Sequence, residues 1–275
     1  MTTIFTGRSR SMVMSAVAAL ILCANSFGQA PKQDAYIWCV GVDKLSAQFA
    51  ECNDAHHLAD NAKDQYKFWM SMQAVLFGQA HGKVRLNEGA TVATLRGDMD
   101  DMATKARPGM TFVVDLNAHG GVDELGDYEM CAYDGVVKGK EIRDWVSKLV
   151  AKGSFVIVIV ESCHSGALNL NQDHVVFMCA CQKEQTSLDG DPLMLHDHSL
   201  FVQAVLEGLG GKADANGDGT VTVTELVSYV KVRLGKLAAK YSHEQTPVFN
   251  FPGVAPDYPV AKVPGTPTSS VPAGR

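Results

Sequence analysis

A cysteine and a histidine each follow a short apolar run in this 275-residue chain. Residues 154–160 (SFVIVIV) lead into residues 161–166 (ESCHSG), a segment rich in small side chains that contains Cys163. Residues 111–116 (TFVVDL) lead in the same way towards His119. Buried parallel strands end at one edge of a sheet, so the two runs predict that Cys163 and His119 meet there as a nucleophile and its base.

A thiol and an imidazole at one sheet edge can work as a unit. A cysteine with an ordinary pKa of about 8.5 is only a few per cent thiolate at neutral pH, and a neighbouring imidazole both lowers that pKa and later protonates a leaving amine. Gly120 and Ser162 are small, so a peptide carbonyl could reach backbone N–H groups that form an oxyanion hole. Taken singly, the cysteine could be a core thiol and the histidine a loop residue, but both at strand ends favour catalysis.

The rest of the chain alternates between strand and helix patterns. Strands are predicted at residues 36–42, 84–86, 111–116, 154–160 and 175–180, and helices at residues 54–68, 92–102, 142–149 and 199–209. Thr91 is the predicted N-cap of the second helix, and Gly153 lies just past the predicted end of the third. This alternation predicts an α/β fold with a mostly parallel central sheet and helices on both faces.

The start of the chain has the composition of an export signal. Residues 1–30 combine two arginines, an apolar run at residues 12–23 and small residues before Ala30, which predicts a signal peptide cleaved after that residue. The run is shorter than the ~20 residues that a membrane anchor needs. Cleavage would take the formal net charge from −6 to −8, too acidic for nucleic-acid binding. The mature protein is expected to be secreted or periplasmic, with no membrane association.

The mature chain is predicted to consist of one folded domain and a tail. Residues 31–251 carry the strand and helix patterns, whereas residues 252–275 contain six prolines with few apolar residues and are predicted to be disordered. Six cysteines would remain after cleavage. If Cys163 reacts, the other five cannot all pair within one chain, so no disulfide framework is expected.

In these motifs the chain resembles the caspase-like cysteine peptidases, and among them the metacaspases and prokaryotic orthocaspases. The resemblance covers roughly residues 35–251, and His119 precedes Cys163 by 44 residues, close to the ~50 that caspases place between base and nucleophile. The matching segments, in chain order, are residues 36–42, 52–55 (CNDA), 90–91, 119–121 (HGG), 162–166 (SCHSG) and 245–247 (QTP).

The resemblance implies a caspase-like fold and roles for particular residues. The oxyanion hole would consist of the N–H groups of Gly120 and Cys163. In metacaspases the pocket for the residue before the scissile bond is acidic and accepts Arg or Lys. Its matching positions here are Asp54 and Glu161, with Asn117 as a further substrate-binding position. Two carboxylates suit the fork of a guanidinium, although Glu161 stands where the family usually has Asp, and Asp54 has an alternative role as a helix N-cap.

A third motif, at residues 214–225 (DANGDGTVTVTE), matches the calcium loop of an EF-hand. The alternative is a turn before the last helix, in which Asp and Gly make the turn and the cap. Residues 138–140 (KGK) occupy the region where the resemblance would place the regulatory calcium site of metacaspases. Catalysis is therefore expected to need no cofactor, with calcium a separate possibility. The predicted calcium ligands are Asp214, Asn216, Asp218, the Thr220 carbonyl and Glu225.

Two other functions stay open at this point. One is a catalytically silent binding protein, in which the same fold presents a surface and residues 214–225 bind Ca²⁺. The other is a peptidase that cleaves after Asp, which would need basic residues in its pocket. The intact Cys163 and His119 favour a cysteine endopeptidase that forms a thioacyl-enzyme and cleaves proteins or peptides after Arg or Lys.

Overall fold

A computed structural model describes residues 33–48, 55–189 and 198–263. The predicted signal peptide, the predicted pocket residue Asp54 and residues 264–275 of the predicted tail lie outside the described residues. The strands are β1 Ala35–Gly41, β2 Ala80–Leu86, β3 Thr111–Asn117, β4 Gly120–Val122, β5 Tyr128–Ala132, β6 Gly135–Lys138, β7 Phe155–Glu161, β8 Val175–Cys179, β9 Thr220–Thr222, β10 Val248–Asn250 and β11 Pro259–Lys262. The α-helices are α1 Leu58–Ser71, α2 Val92–Lys105, α3 Gly139–Val150, α4 Leu200–Glu207 and α5 Val223–Lys240.

Six strands form a central sheet in the order β10-β8-β7-β3-β1-β2. The five strands from β8 to β2 pair in parallel, and β10 pairs antiparallel to β8 at the edge. Parallel strands covered on both faces have continuous apolar sequences, which is why their runs could be recognised. The predicted mostly parallel sheet is confirmed.

Two hydrophobic clusters cover the two faces of this sheet. Ile37 and Cys39 belong to one cluster with side chains of α1, α4 and α5, whereas Trp38 and Val40 belong to the other with side chains of α2 and α3. Successive side chains of a strand point to opposite faces, so β1 is buried on both sides. The predicted placement of helices on both faces is also confirmed.

The strand register aligns the chain ends that carry the candidate residues. Gly41 is the Cα partner of Asn117, and Asn117 is the Cα partner of Glu161, at the ends of β1, β3 and β7. The segments that leave these ends start side by side. His119 and Cys163 therefore begin at the same edge of the sheet.

Helix α1 begins later than predicted, and its cap comes from another part of the chain. The helix starts at Leu58 with His57 in the N-cap position. Asp43 Oδ1 accepts hydrogen bonds from the N–H groups of Leu58 (2.7 Å) and Ala59 (3.2 Å). The alternative role of Asp54 as the N-cap of this helix is therefore wrong, because a distant carboxylate satisfies the first free N–H groups.

Two of the predicted helix signals are confirmed. Thr91 Oγ1 accepts a hydrogen bond from the N–H of Thr94 (3.1 Å) at the start of α2. Gly153 follows α3 with a φ of +80°, a conformation that suits glycine. Local sequence is thus enough to define these two helix ends.

The sequence pattern does not predict the short strands outside the central sheet. Strands β4, β5 and β6 form an antiparallel sheet directly after His119. Strand β11 pairs with β9, so the predicted disorder from residue 252 is wrong for residues 252–263. Val260 is fully buried there, and the Tyr258 ring stacks on Phe155 at 4.2 Å between centroids. This apolar burial orders a segment whose prolines suggested a tail.

Four cysteines of the described chain, Cys39, Cys163, Cys179 and Cys181, are free thiols. Cys39 and Cys179 are buried among apolar side chains, as expected for small hydrophobic residues. In the described ranges, no helix combines the length and apolar character needed to cross a membrane.

Candidate active site

Cys163 lies in a tight turn after the end of β7. The next residue, His164, has a left-handed backbone conformation (φ 58°, ψ 14°), which is uncommon for a residue other than glycine. Two contacts hold it there: its N–H donates to the carbonyl of Gln185 (2.9 Å), and its Nδ1 lies 2.8 Å from the carbonyl oxygen of Lys183. His164 therefore fixes the turn that presents the half-buried Cys163.

Cys163 and His119 line the same small cavity, with a volume of ≈ 90 Å³. This is room for several water molecules or the end of one side chain. The Cys163 thiol contacts the carbonyl oxygen of Ser187 (3.8 Å), and His119 Nε2 is buried without a hydrogen-bond partner in the described structure. Catalytic hydrogen bonds often form only when substrate binds. The cavity is lined by Ala55, Leu58, Ala118, His119, Glu161, Ser162, Cys163, Ser187 and Asp189.

Burial raises the pKa of the Cys163 thiol, and hydrogen bonding with the backbone of Ser187 only partly opposes this effect. A thiol with a raised pKa is protonated at neutral pH, and the thiol is a poor nucleophile compared with the thiolate. The group that could remove the proton is the imidazole of His119, which lines the same cavity. To act as a nucleophile, Cys163 would therefore need this histidine as its base.

Gly120 packs directly against the backbone of the turn that carries Cys163. A Cβ atom at this position would lie 2.4 Å from the carbonyl oxygen of Cys163 and 2.6 Å from Ser162 Oγ, both too close for any side chain. Only glycine fits this approach. The two predicted oxyanion donors, the N–H groups of Gly120 and Cys163, thus belong to adjoining backbone segments.

Buried polar contacts anchor Ser162, the residue before the nucleophile. The Tyr128 hydroxyl lies 2.7 Å from Ser162 Oγ in the interior, and burial raises the pKa of Tyr128. The Cys181 thiol contacts the Ser162 carbonyl (3.4 Å), and the Cys181 N–H donates to Ser165 Oγ (3.2 Å). Cys181 therefore has a structural role, because it holds the turn in place.

Two acidic side chains face the cavity beside the thiol. Glu161 is 1% exposed; its Oε1 accepts a hydrogen bond from Ser187 Oγ (2.6 Å), while its Oε2 is buried without a partner among the described residues. Asp189 Oδ2 accepts a hydrogen bond from the N–H of His56 (2.7 Å), while its Oδ1 is buried and has no partner within the described ranges either. Two unpartnered carboxyl oxygens in one cavity make it suited to a cationic group.

Burial raises the pKa of Glu161 to about 8, and the nearby hydroxyl groups of Ser187 and Ser199 only partly oppose it. The carboxyl group is therefore largely neutral at pH 7. An opposite charge placed beside a carboxyl group favours its ionised form. A bound cation would therefore displace the proton of Glu161.

The pocket residues predicted from the sequence include Glu161 but not Asp189. Asp189 lies in the loop after β8, and no local pattern distinguishes it from a surface acid. Only the position of the loop could have indicated Asp189 as a pocket residue, because this loop leaves the same edge of the sheet as the segments after β3 and β7. Asp54, the other acid expected here, lies outside the described residues.

Asn117 does not line this cavity, which corrects the prediction that it binds substrate. It is fully buried, where its Nδ2 donates to the carbonyl of Val40 (3.2 Å) and to Asp115 Oδ2 (3.0 Å). Gln65 of α1 donates to Asn117 Oδ1 (3.3 Å). Asn117 and Asp115 share one face of β3 because they are two residues apart, and α1 covers that face.

The loop at residues 214–225 forms a turn and a helix cap. Asp214 accepts hydrogen bonds from the N–H groups of Gly217 (2.8 Å) and Gly219 (2.9 Å). Glu225 accepts from the Thr222 N–H (3.0 Å) in a capping box at the start of α5. Among the residues that the structure describes, no three His, Cys, Asp or Glu side chains are grouped to hold a metal ion. The predicted calcium ligands Asp214, Asn216, Asp218, Thr220 and Glu225 make hydrogen bonds within this segment, and calcium binding by them stays a prediction.

A thiol and an imidazole in an acidic cavity, at the edge of a mostly parallel α/β sheet, define a site of the cysteine-peptidase type. The family model described as "Caspase domain" matches residues 16–256. The chain therefore belongs to the caspase-domain family. The match begins within the predicted signal peptide, so the two assignments overlap at residues 16–30.

Solved structures show the same fold. A protein from Geobacter sulfurreducens superimposes with a TM-score of 0.62 at 16% identity, over 84% of this chain and 99% of that chain. The Drosophila initiator caspase Dronc gives a TM-score of 0.58 at 12% identity, over 84% of each chain. Among curated proteins, none matches this chain significantly. The structural similarity establishes a caspase-like fold, and family membership supports a peptidase-like hydrolase that acts on proteins.

Proposed function

We propose that this protein is a cysteine endopeptidase that cleaves peptide bonds after Arg or Lys. Membership of the caspase-domain family supports the class of reaction. The preference for basic residues rests on one observation: Glu161 and Asp189 line the same cavity as Cys163, and each has a buried carboxyl oxygen without a hydrogen-bond partner among the described residues. The described lining residues include no Lys or Arg, which argues against a pocket for Asp.

The reaction would begin with proton transfer from the Cys163 thiol to His119. The thiolate attacks the peptide carbonyl carbon, and the N–H groups of Gly120 and Cys163 stabilise the oxyanion of the tetrahedral intermediate. The protonated imidazole then gives its proton to the leaving amine as the C–N bond breaks, which leaves a thioacyl-enzyme. Water, deprotonated by His119, attacks the thioester carbonyl, and the thiolate leaves and is reprotonated.

The side chain before the scissile bond would enter the acidic cavity. Its guanidinium or ammonium group would face Glu161 Oε2 and Asp189 Oδ1 and replace the missing hydrogen-bond partners of both oxygens. Charge-assisted hydrogen bonds of this kind are stronger than neutral ones and favour a planar guanidinium. Asp54, beyond the described residues, remains proposed as a third acid of the pocket.

A series of otherwise identical peptides, with Arg, Lys or Asp before one peptide bond, tests this function. Wild type should cleave the Arg and Lys peptides at that bond and leave the Asp peptide intact. Cys163→Ala and His119→Ala should each lose nearly all activity, because the pair acts as a unit. Cleavage of the Asp peptide at the highest rate would refute the proposed specificity.

A catalytically silent binding protein is the second candidate. One observation favours it: the Cys163 thiol contacts the Ser187 carbonyl instead of His119. A silent protein would bind the Arg peptide, as measured by calorimetry, without any hydrolysis by wild type. Hydrolysis that disappears in Cys163→Ala would exclude it.

We also propose that the protein is exported to a secreted or periplasmic location after cleavage of residues 1–30. The support is the order of charged, apolar and small residues in that segment. Mass spectrometry of protein from the producing cells should find an N-terminus at Pro31 outside the cytoplasm. A cytoplasmic chain that retains Met1 would contradict export.

A further inference from the structure

Gln245 is a buried side chain beside the candidate cavity, and the proposed mechanism gives it no role. It is 5% exposed. Its Oε1 accepts a hydrogen bond from the N–H of Leu188 (3.1 Å), and its Nε2 donates to the Ala180 carbonyl (3.2 Å) and to Ser187 Oγ (2.8 Å). One amide therefore holds the end of β8 and the loop that carries Ser187 and Asp189.

The backbone partners fix the orientation of this amide. An N–H group can only donate and a carbonyl can only accept, so Leu188 must face the amide oxygen and Ala180 must face the amide nitrogen. The amide nitrogen consequently donates to Ser187 Oγ. The Ser187 hydrogen is then free for another acceptor, and Glu161 Oε1 lies 2.6 Å away. The hydrogen bonds run in one direction, from Gln245 through Ser187 to Glu161.

This direction determines which oxygen of Glu161 can meet a substrate. Oε1 accepts a hydrogen bond from the Ser187 hydroxyl, whereas Oε2 has no hydrogen-bond partner in the part of the chain that the structure describes. The backbone carbonyl of Ser187 also contacts the Cys163 thiol (3.8 Å). Ser187 thus touches both the nucleophile and the acid of the pocket, and it links their positions.

We infer that Ser187 is a specificity-determining residue of this pocket and that Gln245 is its positioning residue, holding Glu161 with Oε2 free for a basic side chain. The inference rests on the proposed function. It extends that function to two residues whose hydrogen bonds, rather than their own charges, select the substrate.

Other contacts hold the same loop and provide a control. Gln185 Oε1 accepts a hydrogen bond from the N–H of Thr246 (2.8 Å), and His243 Nε2 lies 2.9 Å from the Thr186 carbonyl oxygen. Neither contact reaches Glu161. Loss of the Gln245 amide should therefore leave the loop folded, and His243→Ala removes a loop contact without breaking the chain to Glu161.

The test is a comparison of KM and kcat for the Arg peptide in Ser187→Ala, Ser187→Thr, Gln245→Leu and His243→Ala. Ser187→Ala keeps the backbone carbonyl beside the thiol but removes the donor to Glu161. Its KM should rise about tenfold, the effect of losing one hydrogen bond to a charged group, with a much smaller change in kcat. Gln245→Leu should change KM in the same direction. Ser187→Thr should restore KM, and His243→Ala should resemble wild type.

Alkylation of Cys163 by iodoacetamide, which is uncharged, should proceed at the wild-type rate in all four variants. A Ser187→Ala variant with wild-type KM would overturn the inference and leave the proposed function standing. Equal losses in alkylation and in the hydrolysis of every peptide would also overturn it, because the role would then be structural. If the wild-type enzyme did not prefer the Arg and Lys peptides, the proposed function would be refuted, and the inference would be refuted with it.

Discussion

Burial controls the charge of both groups that would meet a substrate. It raises the pKa of the Cys163 thiol, and it raises the pKa of Glu161 to about 8. The cavity is therefore lined by a neutral thiol and a largely neutral carboxyl group at pH 7. Under the proposed function, His119 would create the thiolate, and the substrate cation would create the carboxylate.

Substrate affinity should therefore depend on pH through Glu161. Ionised Glu161 binds a basic side chain better, so KM for the Arg peptide should fall as pH rises from about 6 to about 9, through the pKa of about 8. Steady-state kinetics across this range measure it. Asp189 is a second acid in the cavity, so Glu161→Gln is the control: it should raise KM and remove this dependence. A wild-type KM that stays constant from pH 6 to 9 would contradict the role of Glu161.

At the scale of secondary-structure elements, one carboxylate links α2 to β1 and β2 of the central sheet. Asp98 is 4% exposed and accepts hydrogen bonds from Trp38 Nε1 (3.1 Å), from Arg85 Nε (2.6 Å) and Nη2 (2.8 Å), and from Lys83 Nζ (2.8 Å). These hydrogen bonds overcome the effect of burial and lower the pKa of Asp98 to about 2. The ionised carboxylate is therefore part of the folded state.

Asp98→Asn should lower the free energy of unfolding by about 2 kcal/mol at pH 7, the effect of weakening hydrogen bonds to a charged group. The pKa is lower in the folded chain than in the unfolded chain. The stabilisation is therefore complete above about pH 4 and is lost as pH falls towards 2. Urea unfolding at pH 7 and pH 3 measures both effects. Asp100→Asn, whose side chain is 74% exposed, should change little; equal losses in the two variants would contradict this role.

The turn before α5 should stabilise the fold without calcium. Thr222→Ala removes the side chain that accepts the Glu225 N–H, and loss of such a cap costs about 1 kcal/mol. Thermal unfolding should show a lower Tm for this variant, whereas Ser228→Ala within α5 should be near wild type. Millimolar Ca²⁺ should leave the wild-type Tm unchanged. A Tm that rises with Ca²⁺, and does so less in Asp214→Ala, would restore the calcium site.

For the molecule as a whole, the sequence predicts those features that depend on neighbouring residues in the chain. Continuous apolar runs identify the buried parallel strands, and the small residues after them identify Cys163 and His119. The pocket is different, because Asp189 reaches it only when the loop after β8 folds back against the residues before β10. A contact between segments that are distant in the chain produces no periodic pattern in the sequence. The same holds for the Asp43 cap of α1 and for β11, which is ordered by pairing and apolar burial instead of by its own propensity.

Covalent labelling tests the central claim most directly, that Cys163 is the nucleophile of a peptidase selective for basic residues. The protein is treated with two peptide electrophiles that differ only in carrying Arg or Asp at the recognition position, and the adduct is located by mass spectrometry. We expect only the Arg probe to label the protein, and to do so at Cys163. Labelling should be slower in His119→Ala. It should be unchanged in Cys131→Ala, the control, because the partly buried Cys131 does not line the cavity. Labelling at another cysteine, or equal labelling by the Asp probe, would contradict the account.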